Sequence, residues 1–374
     1  MNMGSESVKM PASVLLAGGG SAGHVSPLLA TADALRRRDP HVRITALGTR
    51  EGLEARLVPA RGYDLAFVPK VAFPRRPNRA ALKFPGKLVE EIRAADRAIL
   101  DTEAEVVVGF GGYVSTPAYL AAKRRGVPIV VHEGNARPGL ANKAGSRMTE
   151  FVATTFSSTS LPNARYIGMP MRAEITRLDR AALRDEALAH FGLRGDAPVL
   201  LVTGGSLGAK RLNDAFSASV RDLQEAGVQV LHLAGGGKGF EPDLRVDGPA
   251  YRVLEYADRI ELAYAAADLV VCRSGANTVC ELTAVGLPAI FVPLPIGNGE
   301  QRINADDVVA VGGALLVDDA QVCREWVTGT VIPLMRDRER LSLMADASAR
   351  VGVRTADDQL VDMIIAAGAK GAVR

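Results

Sequence analysis

Twice along this 374-residue chain an apolar run ends in a cluster of glycines that opens a helical pattern. Val14–Ala17 runs into Gly18, Gly19 and Gly20 (VLLAGGGSAGH), and Val199–Thr203 runs into Gly204 and Gly205 (VLLVTGGSLGA). Few units constrain a fold more. Glycines let the backbone turn sharply and approach a ligand closely, and the helix that follows turns free N–H groups and a positive dipole end toward an anion. The same unit at the head of each half predicts α/β architecture: two Rossmann-like domains with parallel sheets facing across a cleft.

The rest of the chain keeps that rhythm. Predicted strands of the first half are Val14–Ala17, Arg43–Leu47, Leu65–Val68, Glu105–Gly109, Pro128–His132 and Phe151–Thr155, with amphipathic stretches such as Leu28–Arg38 and Leu82–Leu100 between them. A second series follows at Val199–Thr203, Gln229–Leu233, Tyr251–Leu254, Leu269–Cys272, Ala289–Val292 and Ala314–Val317. The segment Tyr166–Arg172, YIGMPMR, reads as an extended interdomain hinge. The expected division is an N-terminal domain over 1–168, a C-terminal domain over 169–350, and a C-terminal helix over 351–374 that packs back on a domain, the N-terminal one being the first choice.

Composition narrows the class. A net charge of +3 is too small to imply nucleic-acid binding. Three cysteines, Cys272, Cys280 and Cys323, lack the spacing of a zinc site or a disulfide framework and point to a reducing compartment. The opening MNMGSESVKMPA lacks the apolar core of a signal peptide, and no apolar run approaches the roughly 20 residues of a membrane helix. The expectation is a soluble, cytoplasmic protein.

Several loops carry candidate chemistry. His24 follows the first glycine cluster at the start of a helix that Pro27 is suited to open, and it is either a ligand-facing base or a packed cap. A second glycine loop, Gly109–Ser115 (GFGGYVS), is a phosphate cradle or acceptor site, or else a tight turn under Tyr113; after the next strand comes Asn135 in HEGN, able to donate to and accept from sugar hydroxyls. In the third loop, Gly204–Ala209, free N–H groups and the Ser206 hydroxyl fit a pyrophosphate, and Arg172 either joins them or is a solvated linker charge. Beyond Cys272 the chain reads RSGANTVCE: the turn opens a helix at Ala276 or Asn277 that places Glu281 to bind a ribose diol or merely to favour the dipole, and Gly286 ends it. Gln301 and Asn304, three apart, share a helix face suited to a hexose or to plain solvation. From Lys70 to Lys87 the chain holds Arg75, Arg76, Arg79 and Lys83 with no acid, interleaved with Phe73, Leu82 and Phe84, which suits anionic lipid as well as it suits a solvated face.

Taken in order, GGGSAGHVSP, GFGGYVSTP, HEGNARPGLANK, IGMPMR, GGSLGAKRLN and CRSGANTVCEL resemble the motifs of the MurG family of bacterial peptidoglycan N-acetylglucosaminyltransferases, which have the GT-B fold. The resemblance runs from Val14 to about Val317. It implies transfer of GlcNAc from UDP-GlcNAc to the C4 hydroxyl of MurNAc in lipid I, giving lipid II, by a peripheral enzyme on the cytoplasmic, anionic face of the cell membrane. It further implies that His24 is the base, and that Ser21, Ala22, Gly23 and Asn135 line the donor and acceptor side. Arg172 and Ser206 would hold the UDP phosphates, and Ala257 would offer its backbone to uracil. Ala276, Asn277, Thr278, Val279, Cys280 and Glu281 would surround the nucleotide, with Gln301 and Asn304 on the GlcNAc ring. No metal or cofactor is implied, and no Asp-x-Asp motif is present.

Three positions depart from the family pattern. Ala22 replaces a usual glycine and would be strained at positive φ, Leu207 stands where Gln is often found, and Glu300 stands where Gln is frequent. The alternatives are another GT-B enzyme acting on a lipid or small-molecule aglycone, or a UDP-GlcNAc 2-epimerase, an isomerase that would want several carboxylates around the hexose; Glu133 and Glu300 are the obvious candidates.

Overall fold

The protein is described by a computed structural model over residues 9–71, 79–296 and 298–372. Phe73, Arg75 and Arg76 of the basic stretch lie outside the described residues, as do the side chains of Arg79, Leu82 and Lys83. The chain divides into two compact units, 1–172 with 355–374, and 173–354.

The first unit is built on seven parallel strands: β1 (Ser13–Ala17), β2 (Arg43–Gly48), β3 (Asp64–Phe67), β4 (Val106–Gly109), β5 (Ile129–Glu133), β6 (Phe151–Thr154) and β7 (Ala164–Tyr166). They lie in the order β3-β2-β1-β4-β5-β6-β7. Side chains alternate across a strand, so β1 feeds both faces. Val14 and Leu16 join one core with Leu28 and Leu35 of the helix Ala22–Arg38. Leu15 and Ala17 join the other with Ala95 and Ile99 of the helix Arg79–Asp101 and Tyr119 of the helix Ser115–Arg125. A sheet covered on both faces explains why the strands read as unbroken apolar runs. The strand β7 went unread because all three of its residues are exposed. The last helix, Ala356–Ala372, adds Leu360, Val361, Ile364 and Ala367 to the first core, and its Asp357 and Asp362 pair with Arg37 and Arg38.

The second unit repeats the plan with six parallel strands, β8 (Val199–Thr203), β9 (Gln229–Leu233), β10 (Tyr251–Leu254), β11 (Leu269–Cys272), β12 (Ala289–Phe291) and β13 (Ala314–Leu316). Their order is β10-β9-β8-β11-β12-β13. In both sheets the chain first winds outward in one direction, then crosses back and winds the other way. The reversal falls between β1 and β4, and between β8 and β11. In open α/β sheets such a switch point leaves a crevice at the carboxyl ends of the strands, and ligands bind there. The pairings Ala17↔Gly109 and Thr203↔Cys272 close these two ladders. All four glycine-containing motifs therefore begin at a switch point of their own sheet.

Candidate functional site

In the first unit the first two glycine loops abut. The helix after β1 begins at Ala22, five residues before Pro27, which lies inside it rather than opening it. Ser21 caps this helix by position only; its Oγ lies 3.2 Å from His24 Nδ1 instead of holding a backbone N–H. Because Ala22 is already helical, the strain its Cβ would meet at positive φ does not arise: among described non-glycine residues only Glu103 and Asn163 have positive φ.

His24 is half-buried, and the second loop frames its ring. Gly111 and Gly112 both take positive φ, at 97° and 78°. A Cβ on Gly111 would stand 3.1 Å from His24 Nε2, and one on Gly112 would stand 2.8 Å from the Gly19 carbonyl oxygen. Glycine at 111 thus keeps the approach to Nε2 open, and glycine at 112 lets the two loops touch. The second loop is tied in turn to β1, since Ser115 Oγ accepts from the Gly111 amide at 2.9 Å and lies 3.0 Å from the Ala17 carbonyl. Tyr113 is 45% exposed and does not cover the turn.

The HEGN segment at the end of β5 is held by its own carboxylate. Buried Glu133 accepts from the amides of Asn135 (2.9 Å) and Gly139 (3.0 Å) and from Asn142 Nδ2 (3.0 Å). Asn142 Oδ1 accepts from Tyr119 at 2.8 Å, and Gly109 and Gly145 are small because the Tyr119 ring fills the space a Cβ would need. Glu133 is therefore a clamp that shapes the loop carrying Asn135. A Cβ on Gly134 would come 3.7 Å from the Gly23 carbonyl, so this loop lies beside the first one. His132 is fully buried, its Nε2 3.2 Å from the Gly168 carbonyl, and burial pushes it down to about 4, so it stays neutral. Arg172 closes this unit half-buried, without an ion pair or side-chain hydrogen bond among the described residues.

In the second unit the third loop leaves β8 with Ser206 and Leu207 at an exposed tip, Leu207 82% exposed. Gly208 (φ 64°) packs so closely on the turn after β9 that a Cβ would sit 2.1 Å from the Ala234 carbonyl. A buried relay pins the same place. Asn213 Nδ2 donates to Ala234 O (3.0 Å), its Oδ1 accepts from His232 Nε2 (3.0 Å), and His232 Nδ1 accepts from Tyr251 (2.9 Å). Burial depresses His232 to about 3, which keeps it neutral in that chain of bonds.

The RSGANT turn leaves β11 beside it. Gly275 precedes the helix Ala276–Ala284, with Asn277, Thr278 and Cys280 half-buried and Val279 buried. Arg273 binds the carbonyls of Val292 (3.1 Å) and Pro293 (3.2 Å) and pairs with Asp319 at 2.7 Å, so it ties the ends of β11 and β12 to the segment after β13. Buried Asn304 reaches the Ser274 carbonyl at 3.4 Å. Gln301 Oε1 accepts from the Leu294 amide at 2.9 Å. Glu281 Oε2 accepts from Tyr264 at 2.7 Å. Glu300 Oε2 is buried with no partner among the described residues, and Ala257, after β10, is buried. Ser206, Ala276–Glu281, Gln301 and Asn304 thus share the carboxyl edge of one sheet, while His24, Ser21–Gly23 and Asn135 share that of the other. Sequence reasoning gave no role to Tyr264, Arg273, Asn142 or Glu54, each of which is held by at least one partner far along the chain. Among the described residues no group of three or more His, Cys, Asp or Glu stands where it could hold a metal ion.

Comparison with known proteins follows the same division. The N-terminal domain pattern of glycosyltransferase family 28 matches residues 14–154, and its C-terminal domain pattern matches residues 199–360. A UDP-N-acetylglucosamine–N-acetylmuramyl-(pentapeptide) pyrophosphoryl-undecaprenol N-acetylglucosamine transferase of Streptomyces avermitilis is 56% identical over 94% of this chain and 97% of its own length. The protein of that name from Streptomyces coelicolor is 56% identical over 96% of this chain and 100% of its own. The crystal structure of Acinetobacter baumannii MurG superposes with a TM-score of 0.77 at 29% identity, over 95% of this chain and 99% of that one.

Proposed function

The chain belongs to glycosyltransferase family 28, and on that premise we propose that it transfers N-acetylglucosamine from UDP-N-acetylglucosamine to lipid I, the undecaprenyl-pyrophosphoryl MurNAc-pentapeptide, to give lipid II for peptidoglycan synthesis. The observation that carries this reading is whole-length identity of 56% to transferases named for that reaction. The two doubly wound sheets are those of a GT-B glycosyltransferase.

The finer reading assigns one inverting displacement. The C4 oxygen of MurNAc forms the new bond to the anomeric carbon as the bond to the UDP oxygen breaks. UDP leaves with the bonding electron pair, and the C4 hydroxyl proton passes to His24. An approach to Nε2 kept open by Gly111 supports His24 as that base. Ser21, Ala22, Gly23 and Asn135 line the donor and acceptor side. The N–H groups of the third loop, Ser206 and the unpaired Arg172 guanidinium suit the diphosphate, where charge develops as UDP departs. Ala276–Glu281 surround the nucleoside with Glu281 on the ribose, and Ala257 offers its backbone to uracil. Gln301 and Asn304 face the GlcNAc ring, and the unpartnered Glu300 Oε2 supplies an acceptor for one of its hydroxyls.

The enzyme works, in this reading, as a peripheral protein on the cytoplasmic face of the membrane. Lys70 and Lys87 at the ends of the basic stretch are exposed, as is Val89, which supports a surface that meets anionic lipid. No helix among the described residues is long and apolar enough to cross a membrane. The deciding assay is UDP release with and without a lipid-linked MurNAc acceptor. Release only with acceptor is expected; N-acetylmannosamine formed without acceptor would instead mark an epimerase.

A further inference from the structure

Glu54 is a buried charge that the proposed reaction leaves unused. It has no exposed surface. Its Oε1 accepts from the Thr49 amide at 2.8 Å and the Thr49 hydroxyl at 2.9 Å, and its Oε2 accepts from the Gly20 amide at 2.9 Å. Burial by itself pushes the carboxyl up, but the hydrogen bonds from Gly20 and Thr49 outweigh it and hold Glu54 below its ordinary value. Three glycines make room for this one group. A Cβ on Gly19, Gly48 or Gly52 would come within 2.4, 2.3 or 2.1 Å of it. None of the three takes positive φ. Their backbone does not demand glycine; the Glu54 side chain does.

The Gly20 N–H that Glu54 holds belongs to the same peptide group as the Gly19 carbonyl. That group is planar, so fixing its N–H fixes the direction of its oxygen. The Gly19 oxygen lies 3.1 Å from His24 Nδ1. A carbonyl has no proton to give, so the contact is a hydrogen bond only when Nδ1 carries the proton, and Nε2 is then the lone-pair nitrogen. Ser21 Oγ, 3.2 Å from the same Nδ1, can rotate to suit either tautomer and selects neither.

We propose that Glu54 is a positioning residue: through the Gly19–Gly20 peptide it holds His24 in the Nδ1–H tautomer and so presents Nε2 as the acceptor of a proton. The polarity is continuous from carboxylate to N–H, across the peptide to C=O, and on to Nδ1–H. The catalytic consequence rests on the reading of His24 as the base, whereas the tautomer can be observed without turnover.

The test uses the full chain labelled with ¹⁵N-histidine, with the His24 ring signals identified by their loss in His24→Ala. In wild type Nδ1 is expected to show the protonated-type shift and Nε2 the lone-pair type. Glu54→Gln should move both nitrogens toward the opposite tautomer. It should also lower kcat roughly 10–100-fold, the scale typical of supporting residues around a reactive group, with little change in UDP affinity. Gly52→Ala keeps the carboxylate but places a Cβ 2.1 Å from both of its oxygens, and should give the same signature if Glu54→Gln does not fold. Unchanged His24 nitrogen shifts in either folded variant would overturn the proposal, even if kcat fell, because the damage would then come by another route. Near-normal turnover in His24→Ala would end the base reading alone, and the nitrogen shifts would still decide the role of Glu54.

Discussion

The phenol of Tyr264 donates to Oε2 of Glu281 over 2.7 Å, linking the helix Ile260–Ala266 to the helix that opens after the RSGANT turn. Tyr264 is buried, so this bond sets the carboxylate's direction from beneath.

If Glu281 binds the ribose, Glu281→Ala should weaken UDP binding by roughly 1.5–3 kcal/mol for each charge-assisted hydrogen bond lost. Tyr264→Phe removes the orienting bond while keeping the carboxylate, and should cost about 1 kcal/mol, roughly a fivefold change in Kd. Calorimetric titration with UDP measures both. Wild-type affinity in a folded Glu281→Ala protein would leave the residue with a dipole role only.

The sequence spoke clearly where physics is local. An apolar run ending in glycine marked β1, β4 and β8, because a covered parallel strand is apolar throughout and its exit loop must turn. Two kinds of feature were silent. The edge strand β7 has no buried face, so it left no pattern. The groups that hold the loops act at a distance: Glu54 reaches Gly20 across 34 positions and Tyr264 reaches Glu281 across 17. Pro27 misled for a related reason. Proline favours the first turn of a helix, where its missing N–H costs nothing, but here the helix began earlier, at Ala22, and Pro27 falls inside it. That His24 sits between two glycine loops follows from the β1–β4 pairing, which joins segments the chain keeps far apart.

A pH dependence of stability follows from Glu91. It is 2% exposed on the helix Arg79–Asp101 and accepts from the Val71 amide at 3.2 Å. Burial pushes it up to about 7 from an ordinary 4.5, only partly countered by that bond. Between those values the unfolded chain has released a proton that the folded chain keeps, so stability should fall as pH rises through this window and level off above it. Glu91→Gln retains an oxygen acceptor for Val71 and cannot ionise. Its Tm should exceed that of wild type at about pH 8 and approach it near pH 4.5. Melting curves across that range check the slope; parallel curves for the two proteins would rule out this source.

Membrane docking is tested at the basic–apolar stretch. Replacing Arg75, Arg76, Arg79 and Lys83 by Ser removes four cations, each worth about 1 kcal/mol near an anionic surface. Binding to anionic vesicles should drop sharply and weaken with salt, while turnover of a soluble short-chain acceptor is preserved. Wild-type protein that ignores anionic vesicles at low salt would remove this stretch as the docking surface.

The last prediction concerns His24 itself. Its ring lies between the first two glycine loops, and Gly111 and Gly112 of the second leave it room and leave Nε2 approachable. As the base for the acceptor hydroxyl it should account for roughly 10²–10⁴-fold in rate, so His24→Ala should lower kcat by that factor. UDP affinity should barely change, because His24 is not among the proposed nucleotide contacts. A histidine that only packs between the loops predicts the reverse: a lower Tm with near-normal turnover per folded molecule. Measuring kcat, UDP affinity and Tm on one preparation separates the two, since a general base lost from an intact fold lowers the first and leaves the other two in place.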